Sequence, residues 1–192
     1  IIEAFGGDAD SHPIDIFART SRFTQTVYDP YVNILRATSQ AFSGVVGGVA
    51  AMEVTRFDEA IRSGGEQSRR IARNIQIMLQ SEFDLTQPVD PGGGSWYIES
   101  LTDQVARKAW KEMQEIETAG GLFRALSEGS VQKTVDATLE RRRKKLATRS
   151  DRAVGTNMYA NVLERPLQEE RDLSALRAKR RTDVEAFRAD ID

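Results

Sequence analysis

The only histidine in the chain, His12, stands beside Pro13 in a polar stretch. It has no neighbouring carboxylate cluster and no second ligand at metal-binding spacing, so it reads as a solvated loop residue. There are no cysteines, which removes disulfide scaffolds, thiolate zinc sites and cysteine nucleophiles. Neither a Walker loop nor a nucleophile elbow occurs. Gly92-Gly93-Gly94 would let backbone amides approach a phosphate, but Pro91 before it and a strand-like stretch after it suit a tight turn better. Arg141 through Lys145 is the densest basic run. On a helix, five consecutive residues spread over every face, and without interleaved aromatics a solvated helix is favoured over a nucleic-acid surface. Two short clusters remain: Arg19-Thr20-Ser21, and Thr55 through Glu59. Each follows an apolar stretch, and together they would offer hydroxyls, guanidinium groups and carboxylates as anchors at one ligand site. Equally, Asp58 and Glu59 would simply favour the first turn of a helix through its dipole. Physical reasoning from these residues leaves both readings open.

The elements that must position the clusters follow from pattern. Ile14 to Thr20 and Val49 to Val54 read as short buried strands, rich in β-branched and apolar residues. Asp29-Pro30 signals a helix start, with Asp as N-cap and Pro at the first helical position. Val32, Leu35, Phe42 and Val45 stripe that helix, and Gly47-Gly48 ends it. Ser63-Gly-Gly-Glu66 has the spacing of a capping box before a helix striped by Ile71, Ile75, Met78 and Leu79. A third strand is expected at Trp96-Tyr97-Ile98, where the aromatics suit a wall better than a stacking platform. After that the pattern is helical only: a segment capped by Thr102 and striped by Val105, Ala109, Met113 and Ile116, a short piece at Leu122–Leu126, and another capped by Ser130. From Pro166 the chain is charged, with Leu173, Leu176, Val184 and Phe187 as its only anchors.

Strands alternating with helices imply a parallel sheet with crossover helices. Three strands make a poor domain alone, and an eight-stranded α/β barrel needs about 250 residues. The expected fold is therefore α/β: the C-terminal part of a (β/α)₈ TIM barrel, residues 1–100, followed by an all-helical linker region, residues 101–192. Charge changes at the same boundary. Residues 1–100 hold 8 arginines, no lysine and 13 acids, for a net of −5, whereas residues 101–192 hold 19 bases and 16 acids, for +3. The overall charge of −2 creates no field for nucleic acid or anionic lipid, and no apolar run approaches the ~20 residues of a membrane span. The chain starts Ile1-Ile2, without an initiator Met or a signal pattern. A cytoplasmic protein, numbered from inside a longer polypeptide, is expected.

An ordered set of motifs then points to a family. Ala18-Arg-Thr-Ser-Arg-Phe23, Tyr28-Asp-Pro-Tyr-Val-Asn-Ile-Leu-Arg36, Phe57-Asp-Glu-Ala60, Ile71-Ala-Arg-Asn-Ile-Gln76, Asp90-Pro-Gly-Gly-Gly-Ser-Trp-Tyr-Ile-Glu99 and Val154-Gly-Thr-Asn-Met-Tyr159 resemble methylmalonyl-CoA mutases across roughly residues 14 to 165. The resemblance implies an acyl-CoA mutase barrel whose C-terminal mouth faces adenosylcobalamin, and a radical isomerisation of methylmalonyl-CoA and succinyl-CoA. It also implies a helical linker toward a cobalamin domain whose Asp-x-His-x-x-Gly motif is not found in this chain. In such a reaction the cofactor supplies the radical and the protein supplies binding and shielding. By the same resemblance Glu59, which matches a glutamate touching the adenosyl ribose, Ala60, Thr20, Ser21 and Arg19 become the candidate cofactor-binding residues. No catalytic or metal-binding residue is assigned.

Departures from the family pattern are concentrated at those positions. Catalytic chains resemble Gln-Thr-Ser-Gly-Trp after the first strand, where this chain has Arg19, Thr20, Ser21, Arg22 and Phe23. A family Gln, His and Asn after the second strand are replaced by Ala50, Glu53 and Thr55. These changes suit the small, non-catalytic subunit of a heterodimeric mutase, partnered by a catalytic chain or by the rest of its own barrel, with acyl-CoA bound in the complex. The alternatives are a segment of an active mutase with another acyl substrate, or a helical interaction module without cobalamin. Residues 167–192 are too sparsely apolar to fold unaided. Removing them is expected to weaken subunit association while leaving the barrel segment folded, as sedimentation velocity and thermal unfolding run side by side would show.

Overall fold

In a computed structural model that describes residues 6–8, 14–168 and 173–189, the two stretches preceding the candidate clusters pair as strands. β1 (Phe17–Arg19) and β2 (Ala51–Glu53) run parallel, with Phe17 opposite Ala51 and Arg19 opposite Glu53. The amide of Thr20 extends the pairing by donating to the Glu53 carbonyl at 3.0 Å. Helix α1 (Val32–Val46) is the crossover between them and α2 (Glu66–Ser81) follows β2, so both strands end on the same side. The chain is thus mixed α/β, with a small parallel sheet. His12 lies outside the described residues.

The core sits where α1, α2 and β2 meet. Ala37 and Ala41 of α1 face Ala72, Ile75 and Leu79 of α2, with Val54 beneath them and Ile34, Met52, Ile71 and Leu85 at the margin. The expected stripe on α2 is borne out. That on α1 is not: Leu35 and Phe42 are exposed, and the inward face carries Asn33, Ala37 and Ala41. Small residues face α2 because they let two helices approach closely, which leaves the bulkier stripe on the opposite side.

Several expected helix starts also shift. Asp29 does not cap α1 with its side chain. It takes a left-handed backbone (φ 44°), and its carbonyl accepts from the Val32 amide while Pro30 and Tyr31 complete the turn. The capping box at Ser63 does not form, because Gly65 holds the N-cap position of α2. Gly64 there has a φ of 74°, and a side chain on it would collide with the Arg56 guanidinium.

The largest correction concerns Trp96-Tyr97-Ile98. These residues open a long helix, α3 (Trp96–Thr118), rather than forming a strand, and Ser95, not Thr102, precedes its first turn. Extended Ser95 starts the helix, and the Glu99 carboxylate reaches back to accept from the Gly94 amide at 3.0 Å. That local closure overrides the β-propensity of Trp and Tyr, which stand exposed, Trp96 at 92%. The stripe of α3 is likewise solvent-facing apart from half-buried Ile116. After α3 come α4 (Leu122–Ser127), α5 (Ser130–Ala147) and α6 (Ser174–Ala189). Gly129, in a left-handed conformation, rather than Ser130, occupies the N-cap position of α5.

The inverted stripe on α1 makes a direct test. Ile75→Ala, at a site 6% exposed, is expected to cost about 2–5 kcal/mol in urea unfolding. Leu35→Ala is expected to cost no more than about 0.5 kcal/mol, the range of a surface substitution.

Candidate functional site

The two clusters singled out in the sequence meet at the C-terminal ends of β1 and β2. The hydroxyls of Thr20 and Thr55, both buried, lie 2.8 Å apart, and the Thr55 amide donates to the Thr20 hydroxyl at 2.8 Å. Gln25 ties the loops from above: its amide nitrogen donates to the Thr55 hydroxyl at 3.1 Å and to the Arg56 carbonyl at 2.7 Å. These bonds fix the ends of the strands relative to one another.

Around Glu59 the arrangement is electrostatic. Its carboxylate is approached by Arg19 Nη2 at 3.0 Å, Arg22 Nε at 3.5 Å and Arg56 Nε at 3.8 Å. Arg19 also pairs with Glu53 at 3.2 Å, as the strand register requires, since the two residues are directly opposite. Three guanidinium groups and two carboxylates thus neutralise one another, with one positive charge in excess, and within the cluster the Arg19–Glu59 contact is the hydrogen bond. The Glu59 side chain is only 13% exposed, so these contacts are screened less than pairs in open solvent.

The turn that presents Glu59 is anchored from below. Asp58, fully buried, accepts from Arg62 Nε at 2.7 Å, and its carbonyl accepts from the amides of Ile61 and Arg62. Its other carboxylate oxygen has no hydrogen-bond partner among the described residues. The segment holding Asp58 and Glu59 is a turn rather than the first turn of a helix, because α2 begins at Glu66. The dipole reading therefore falls away. Phe57, one residue earlier, stacks on Tyr31 at 5.1 Å between centroids.

The remaining candidates are less engaged. Ser21 is exposed; its amide donates to Gln40 Oε1 at 2.6 Å and its hydroxyl accepts from the Phe23 amide at 3.2 Å. Ala60 is exposed on the turn. An open hollow of about 460 Å³ lies between β1 and α1, edged by Arg19, Ser21, Thr24 and Gln40. Its polar groups already bond one another, since Gln40 also donates to the Thr24 hydroxyl at 2.7 Å.

Sequence reasoning missed Asn33, Gln25 and Arg36. Asn33 is 1% exposed. Its amide donates to the carbonyls of Thr26 and Phe57, each at 2.9 Å, and its Oδ1 accepts from the Thr26 amide and from Arg36 Nη1. Arg36 in turn donates to the Val154 carbonyl at 2.6 Å. Burial lowers the pKa of its guanidinium from the ordinary value, with nearby Asp29 acting in the opposite sense. The Asp29 amide donates to Glu164 at 2.8 Å, and Gly155 is left without a side chain where a Cβ would stand 2.6 Å from the Asp29 Cβ. An Asn in the first turn of a helix whose inward face is otherwise apolar was the available signal; a loop Gln carries none.

The glycine run makes no phosphate cradle. The Gly93, Gly94 and Ser95 amides are taken by Asp90, Glu99 and Gly92 respectively, and Gly92 is buried against Ile98. The basic run lies on exposed α5. Among the described residues there is no group of three or more His, Asp or Glu able to hold a metal ion, and no helix is long and apolar enough to cross a membrane.

Replacing one partner of the ion pair beneath Glu59 gives a sharp test. Arg62→Met strands a buried carboxylate and is expected to cost about 3–5 kcal/mol in urea unfolding.

Comparison with known proteins follows the same lines. A profile of the family described as methylmalonyl-CoA mutase matches residues 1–192. The methylmalonyl-CoA mutase small subunit of Streptomyces virginiae is 42% identical over 153 residues, covering 80% of this chain and 25% of that protein. The small subunit of Porphyromonas gingivalis is 38% identical over 147 residues, 77% of this chain and 24% of that protein. The methylmalonyl-CoA mutase of Escherichia coli is 36% identical over 159 residues, 82% and 22% respectively. The chain spans about a quarter of the length of the curated relatives it matches.

Proposed function

From the chain's membership of the methylmalonyl-CoA mutase family, we propose that it is part of a small, non-catalytic subunit, acting beside a catalytic chain that isomerises methylmalonyl-CoA and succinyl-CoA with adenosylcobalamin. In this reading residues 1–100 are the closing part of a (β/α)₈ barrel and residues 101–192 a helical extension. The subunit works in the cytoplasm as half of a heterodimer, with acyl-CoA bound in the complex.

The observation that carries the reading is the occupation of Glu59. The family resemblance aligns this residue with a contact to the adenosyl ribose, yet here three arginines crowd its carboxylate. By the same resemblance, Arg19 and Arg22 replace a Gln and a Gly that lie near the cobalamin in catalytic chains. Seating a corrin there means stripping charged groups of partners and water at once, which is costly. The residues present therefore do not fit the cofactor. Thr20, Ser21 and Ala60 remain candidate contacts only in the second reading, a segment of an active mutase for another acyl-CoA. The retained Asp58-Glu59-Ala60 favours that reading. The relatives named as small subunits support the first.

Two measurements separate these readings. Under the first, the chain with added adenosylcobalamin turns over no methylmalonyl-CoA above background. Spectral titration then detects no binding tighter than ~1 mM, about −4 kcal/mol. Micromolar cobalamin binding would select the second reading instead.

A further inference from the structure

We propose that the groove between α1 and α5 is a docking site for an acidic amphipathic helix of the partner subunit. The inference rests on the reading of the chain as one subunit of a heterodimer. The groove encloses about 1070 Å³. Its floor is apolar, made by Val32 and Leu35 of α1 and by Leu139 and Leu146 of α5. Leu35 is 66% exposed and Leu146 42% exposed, so the floor is open and contiguous rather than packed, the condition that marks an interaction surface.

Charge identifies the occupant. Arg36, Arg142 and Arg152 line the groove, and the one acid among its lining residues, Asp151, faces Lys145 at 3.9 Å. Between Leu139 and Arg152 the chain carries seven bases and two acids. Of these bases Arg142 and Arg152 line the groove, and neither belongs to an ion pair among the described residues. Arg142 is instead held over the Phe23 ring, 4.3 Å from its centroid, which fixes a guanidinium at the edge of the floor. An apolar trough with a preset cationic rim complements a segment that is apolar on one face and acidic along its flanks.

Shape identifies the secondary structure. The walls are two helices, the loop carrying Phe23 to Thr26 and the turn around Val154; no edge of the sheet lines the groove. An incoming strand would find no open backbone to pair with, so the occupant must satisfy its own hydrogen bonds, as a helix does. The helix α6 of this same chain is excluded by charge, with five bases against two acids.

The test uses the full-length subunit co-purified with its catalytic chain, carrying the photocrosslinker p-benzoylphenylalanine in place of Leu139. Expected are crosslinks to an acidic helical segment of the other chain. In a parallel complex, Arg142→Glu with Arg152→Glu is expected to weaken association by about tenfold or more at low salt, and less at high salt. The unsubstituted chain and the double variant should unfold alike. Crosslinks to the subunit's own polypeptide or to a second copy, or none within an assembled complex, would overturn the inference while leaving the subunit reading intact. Failure to find any heteromeric complex would overturn both, and sedimentation before irradiation distinguishes the two cases.

Discussion

The carboxamide of Asn33 is the junction on which the rest of the arrangement depends. Four segments converge on one buried side chain: the Thr26 loop, the Phe57 turn, α1 itself and, through Arg36, the Val154 turn. An amide in that position saturates backbone groups that would otherwise be buried without partners, each a penalty of about 1–3 kcal/mol. The Thr20–Thr55 hydroxyl pair does the same a short distance away, between the strand ends. With both in place, the turn carrying Asp58 and Glu59 is anchored on its N-terminal side at Thr55 and Phe57.

The Glu59 carboxylate is neutralised by three guanidinium groups, with Arg19 alone at hydrogen-bond distance, and the surplus positive charge at the strand ends is the feature that the proposed non-catalytic role rests on. The two strands and their crossover helix are held by the Asn33 and threonine contacts and by the α1–α2 core, none of which involves the side chains of Arg19, Arg22 or Arg56. The contacts that hold the scaffold are thus separate from the arginine cluster, the physical condition that the proposed small-subunit role requires.

Periodicity found α2, because apolar spacing there coincides with burial; β-branched and apolar composition located β1 and β2, although Ile14, Ile16 and Phe17 stand exposed rather than buried as expected. Periodicity failed on α1, where the inward face is built of alanines and an asparagine, while the residues of greater hydrophobicity face away from the core. Composition misled at Trp96-Tyr97-Ile98, where a local closure from Glu99 to Gly94 decided the conformation. The candidate site was legible as two clusters, Arg19–Ser21 and Thr55–Glu59, since each follows a strand. What could not be read was the reach of the arginines. Arg56 and Arg22 converge on Glu59 only because two loops fold over the same strand ends, and the supports at Gln25 and Asn33 depend on contacts across 24 to 31 residues of sequence.

We propose that the strand ends of this chain, with Glu59 neutralised by its own arginines, take no cobalamin. The most direct test is the cobalt content of the assembled complex, isolated with saturating adenosylcobalamin and freed of unbound cofactor. The account predicts one cobalt for each pair of chains, with the anomalous scattering of that cobalt located in the catalytic partner. Two cobalts per pair, one of them over Glu59, would contradict it.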